Sequence, residues 1–149
     1  MPRNPSPESP AERAWRAMFD FLMRSAPRRT RALARRGLTP NDSRALFSLD
    51  RQAGRSMRSL ADAWGCDPSN ATWIVDRLER LGLAERRATA HDRRVKLVAL
   101  TAKGQRTRSA LMKEFRRPPA ELAALDAGDL ETLDRILARL APDRTGSEE

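Results

Sequence analysis

Apolar residues recur every three or four positions through most of this chain, and every second position only between Leu83 and Leu100. The first helical stripe is Trp15, Met18, Phe19 and Leu22. It follows Ser9-Pro10-Ala11-Glu12, where Ser9 suits the cap, Pro10 the first turn and Glu12 the capping-box position. Pro27 is expected to end or kink that helix, with an arginine-rich segment from Arg28 to Arg36 running on to a stop at Gly37. Thr39-Pro40-Asn41-Asp42 repeats the same start chemistry ahead of Ala45, Leu46 and Leu49. After a break at Gly54, Ser56 caps a third helix with Leu60, Ala61 and Trp64 inward. Gly65, suited to the left-handed conformation, stops it.

Asp67 and Pro68 open a fourth helix, with Asp67 as its cap, and its inward set is Ala71, Ile74, Val75, Leu78 and Leu81. Gly82 ends it, and the period then shortens. Leu83 to Arg87 reads as one strand and Val95 to Leu100 as its partner, with Val95, Leu97 and Ala99 on one face. The loop between them, Ala88 to Arg94, carries His91, Asp92, Arg93 and Arg94. Thr101 caps a fifth helix to about Arg117, Pro118-Pro119 interrupts it, and Asp126 caps a last helix bearing Leu130, Leu133, Ile136, Leu137 and Leu140. The expected fold is mainly α with a small β-hairpin wing. A winged helix-turn-helix lobe (38–101) stands between an N-terminal dimerisation helix region (9–37) and C-terminal dimerisation helices (102–141), with tails at 1–8 and 142–149.

Charge narrows the class. The chain has 149 residues and a formal net charge of +9, and nearly all its cations are arginine, whose planar fork suits phosphates and guanine edges. Residues 68–108 hold ten basic and four acidic side chains, whereas 119–149 hold three basic and eight acidic. A polyanionic partner for the middle of the chain follows. No apolar run approaches the roughly 18–20 residues that span a bilayer, and the polar, proline-rich Met1 to Pro10 is unlike a secretory signal, so the expected compartment is the cytoplasm. One cysteine and one histidine make neither an internal disulfide nor the usual metal site, so no cofactor or metal is expected. Cys66 is expected to be a structural thiol, His91 a loop residue, and Asp126, Asp129, Glu131 and Asp134 a match to a helix dipole rather than a catalytic set. No enzymatic constellation is found.

In a helix-turn-helix the second helix enters the major groove. Ser69, Asn70, Thr72 and Trp73, with Arg77 one turn later, alternate with the inward set and so fall on its outer face. Ser69 and Asn70 either meet bases and phosphates or support the first turn. Trp73 either packs on a base methyl or sugar or packs internally. Arg77 either binds a phosphate or guanine or pairs with acids on its own helix. In the hairpin, Arg86, Arg87, Arg93 and Arg94 form a basic wing whose tip suits a narrow minor groove, with Asp92 placed to fix Arg94. The apolar stripes at the two chain ends have little else to cover them, which favours a homodimer with half-sites about 34 Å apart.

Leu38-Thr39-Pro40, the Leu60-Ala61 helix, SNATWIVDRLERLGLAERR, HDRR and VALTAKG together resemble the MarR family of winged helix-turn-helix transcription regulators, from about Ser9 to Leu140. The resemblance implies a homodimer with intertwined terminal helices that represses from a pseudo-palindromic operator. It places Ser69, Asn70, Thr72 and Arg77 toward the major groove and makes Arg94, positioned by Asp92, the minor-groove arginine. It also implies release by a small aromatic ligand between the dimer helices and the lobe, where Trp15, Phe19, Phe47 and Phe115 either line the cleft or pack in the core. Trp73 departs from the family pattern, which has a small or basic residue there in many members. The alternative from another class is a winged-helix protein-interaction module without sequence-specific DNA binding.

Overall fold

A computed structural model describes residues 7–88 and 96–140. Residues 1–6 of the expected 1–8 tail, the expected tail at 142–149, and the wing-tip residues His91, Asp92, Arg93, Arg94 and Val95 lie outside the described residues. The chain divides after Arg116 into two compact units. The first contains α1 (Pro10–Ala34), α2 (Pro40–Ser48), α3 (Met57–Trp64), α4 (Pro68–Arg80), β1 (Ala84–Ala88), β2 (Lys96–Leu100) and α5 (Ala102–Arg116). The second contains α6 (Ala120–Ala123) and α7 (Ala127–Leu140).

Local chemistry sets most boundaries. Ser9 Oγ accepts from Glu12 N–H at 3.2 Å and Glu12 returns the bond to Ser9 N–H at 2.7 Å. Hydrogen bonding from the Ser9 backbone N–H first, and from the Ser9 side chain second, holds the Glu12 carboxyl below its ordinary pKa. Thr39 and Asp42 repeat the box at α2. Of the two outcomes expected at Pro27, the helix end does not occur: α1 runs on to Ala34. A proline removes one helical donor and crowds one carbonyl, but here the last turns of α1 are anchored beyond it. Ala32 and Leu33 are buried in the core. Arg28 donates to the Glu114 carbonyl at 3.1 Å, and Arg35 and Arg36 both pair with the Glu114 carboxylate. Four-residue α6, after Pro118-Pro119, was not expected; Asp126 caps α7 as expected, accepting from Asp129 N–H at 2.9 Å.

The core of the first unit is Leu46, Leu49, Leu60, Ile74, Val75, Leu78, Val98, Leu100 and Leu111, all fully buried. β1 and β2 pair antiparallel, with Ala84 opposite Leu100 and Ala88 opposite Lys96. Of the residues expected on one face of β2, Val95 lies outside the described residues and Ala99 is buried, but the main core face is the other one. Val98 and Leu100 point into the helices, and Leu97 lies half-buried on the other side. Along the edge of β2 away from β1, Arg55 exchanges backbone hydrogen bonds with Val98 at 2.9 and 2.8 Å. The approach needs Gly54, where a Cβ would stand 2.6 Å from that of Leu97. Thr101 then ties the start of α5 to the turn after α4. Its N–H reaches Leu83 O at 3.1 Å, and its hydroxyl donates to Gly82 O and accepts from Gly104 N–H.

Candidate nucleic-acid interface

α3, a tight turn and α4 lie in the order expected. Gly65 has φ 59° and ψ 43°, and Cys66 N–H closes the turn on Ala61 O at 3.1 Å. Asp67 occupies the cap position of α4, but its side chain makes no capping bond, which corrects the role expected for it. Ala71, Ile74, Val75 and Leu78 are buried, so the opposite face of α4 is turned to solvent. Ser69, Asn70, Thr72 and Trp73 are all exposed there. The Thr72 hydroxyl donates back to Pro68 O at 2.9 Å, leaving its lone pairs outward. Trp73 is 52% exposed, which removes the internal-packing alternative.

Arg77 does not share that exposure. Its Nε donates to both carboxylate oxygens of Asp42, at 3.1 and 3.0 Å, and its Nη2 to Gly37 O at 3.0 Å. Asp42 is 0% exposed and also accepts Thr39 N–H at 2.7 Å. The guanidinium therefore braces α4 against the start of α2. Its partner is 35 residues away in sequence, and not on its own helix.

The two described wing arginines are also engaged. Arg86 pairs with Asp76 at 2.8 Å and with Glu79, and its backbone N–H donates to Glu79 Oε1 at 2.9 Å. Arg87 Nε donates to Glu85 at 2.6 Å and its Nη1 to Arg51 O at 2.9 Å. Both fasten the hairpin to the lobe. Asp92, Arg93 and Arg94 lie outside the described residues.

The four aromatics of the expected ligand cleft fall into two pairs. Phe47 and Phe115 stack obliquely with ring centres 5.9 Å apart and pack against the core. Trp15 and Phe19 sit 6.5 Å apart on the exposed side of α1. An open depression of about 520 Å³ is lined by Phe47, Arg108, Ser109, Met112, Lys113 and Arg116. Another of about 240 Å³ lies against Phe115, Leu33 and Pro40. Trp15 and Phe19 line neither. Cys66 is half-buried against the core. Among the described residues no cluster of three or more His, Cys, Asp or Glu is placed to hold a metal, and no helix is long and apolar enough to cross a membrane.

A recognition-type helix with one face buried and the other open, braced to a preceding helix and a two-stranded hairpin, defines a winged helix-turn-helix lobe. A profile described as MarR family matches residues 36–95. The transcriptional repressor MprA of Escherichia coli (strain K12) is 31% identical over 115 residues, a match of 75% of this chain. The chain spans 65% of that relative's length. Among solved structures, the YusO protein from Bacillus subtilis superposes with a TM-score of 0.74 at 23% identity, covering 89% of this chain and 97% of that one. A mutant of MepR from S. aureus bound to an oligodeoxyribonucleotide gives 0.70 at 21% identity, covering 85% and 94%. The chain is thus similar to the MarR family across its central lobe.

Proposed function

We propose that this protein is a cytoplasmic, sequence-specific transcriptional repressor without enzymatic activity, binding a pseudo-palindromic operator as a homodimer. The observation that carries the reading is the outer face of α4, where Ser69, Asn70, Thr72 and Trp73 stand in solvent opposite a fully buried inner face. A face built this way fits the major groove, while arginine and backbone amides supply the phosphate contacts that fix register. The relative named a transcriptional repressor and the MepR mutant bound to an oligodeoxyribonucleotide support the same reading. So does the +9 charge.

Dimerisation is supported within each compact unit separately. Trp15, at 62% exposure, heads an open stripe with Phe19, Leu22 and Met23 on α1; Leu140, at 65%, ends another with Ile136 and Leu137 on α7. Open apolar faces of this kind mark interaction surfaces, and a two-fold dimer covers the same patch on both copies. A small aromatic ligand fits the depression beside Phe47, where Met112 supplies apolar surface and Lys113 and Arg116 supply charge. It releases DNA if it prefers a lobe spacing that misfits the operator.

Selection of duplexes from a random pool, followed by salt titration, tests the reading. A recovered palindrome with a steep log–log salt slope is expected; equal affinity for all duplexes overturns it. Asn70→Ala is expected to reduce discrimination at one base pair by roughly 1–3 kcal/mol while sparing non-specific binding, as read from competition assays. Arg94→Ala is expected to weaken operator binding with the dimer intact in sedimentation. Unchanged affinity there removes the wing from the mechanism.

A further inference from the structure

Outward positions Ser69, Asn70, Trp73, Asp76 and Arg80 follow one another along α4 at helical spacing, with Trp73 at the centre. What surrounds Trp73 decides what it can do. Asp76, one turn on, would place a negative charge beside a phosphate backbone, but Arg86 holds it at 2.8 Å. Arg77, on the following turn, is turned to Asp42 and Gly37. The central turn of the outer face therefore offers an indole, and no uncommitted guanidinium, to whatever docks there.

Resting on the repressor reading, the geometry points to Trp73 as a specificity-determining residue that recognises the C5-methyl group of thymine in each half-site. The major-groove edge of a base pair has one apolar feature, the thymine methyl, and side chains select it by apolar contact. Guanine is selected instead by a bidentate Arg or Lys; the arginine nearest Trp73, Arg77, is committed elsewhere, and exposed Arg80 lies two turns on, at the end of α4. An indole is large, rigid and mostly apolar, so it covers a methyl at little cost in side-chain entropy. Asn70, one turn before it, supplies the amide that suits adenine. The half-site is accordingly expected to contain an A·T-rich step read by Asn70 and Trp73 together. A second copy or an acidic protein on the same face is the competing occupant. The family DNA-binding reading and the cations of residues 68–108 favour the duplex.

The test uses the full chain and duplexes it selects from a random pool. A fixed thymine in each half-site is expected. Replacing it with deoxyuridine, which deletes only the methyl, is expected to weaken binding about fourfold per half-site, the contribution of one buried methyl-sized group. Trp73→Ala is expected to bind thymine and uracil duplexes equally, with an unchanged melting temperature because the side chain is exposed. The uracil duplex leaves the protein untouched, so the question stays decidable whatever the variant does. Wild-type indifference to uracil at every thymine, or the same uracil penalty in Trp73→Ala, overturns the assignment and leaves the repressor reading standing. Failure to recover any preferred sequence overturns both.

Discussion

Gly104→Ala is expected to destabilise the first compact unit by about 3 kcal/mol, with a matching fall in the urea midpoint. A Cβ at this position would stand 1.9 Å from Leu83 O and 3.3 Å from Leu100 Cδ2. The carbonyl cannot withdraw freely. It accepts Thr101 N–H at 3.1 Å, while Leu83 N–H donates to Leu78 O at 2.8 Å. Leu83 and Leu100 are themselves buried. Helix propensity works the other way, since alanine within a helix is favoured over glycine by roughly 1 kcal/mol. Overpacking against backbone commonly exceeds that gain, so the sign is set by sterics. A variant as stable as the parent would show that the start of α5 slides away from the hairpin.

Arg77→Ala is expected to cost about 3–5 kcal/mol of folding free energy, measured by denaturant titration. It leaves Asp42 with Thr39 N–H as a partner in a site from which solvent is excluded. The arginine side chain is 29% exposed, so the reverse change, Asp42→Ala, is expected to cost less: the cation regains water. The double variant is expected to be more stable than the sum of the two losses predicts, because no uncompensated carboxylate remains. If Arg77 instead read bases, Arg77→Ala would lower operator affinity and leave the denaturation midpoint in place. The two outcomes are distinguishable in one pair of measurements.

These two sites also show where sequence reading succeeds and where it stops. Ser9, Thr39, Ser56, Thr101 and Asp126 each cap a helix within three residues, and Gly65 and Gly82 stop helices by adopting positive φ. Such interactions are local, so residue type and spacing reveal them. The outer face of α4 was legible for the same reason, being the complement of a periodic inner set. Arg77 was not, because a carboxylate on another helix claims it. The carboxylates that claim Arg86 lie a turn apart on α4, and only the fold turns them toward the hairpin. Pro27 does not end α1 because its cost depends on what anchors the turns beyond it, here Leu33 and the Glu114 cluster. At β2 the core face was not legible because Leu97 to Leu100 are all apolar, so alternation did not choose between Leu97–Ala99 and Val98–Leu100.

The fastening of Arg86 to Asp76 and Glu79 has one further consequence. It joins the hairpin and α4 into a single piece, so on the repressor reading the angular phase between what each would touch on a duplex is built in. An operator that gained one base pair within a half-site would turn one contact by about 34–36° relative to the other. On the homodimer reading, extra base pairs between half-sites would instead fall on whatever joins the two copies.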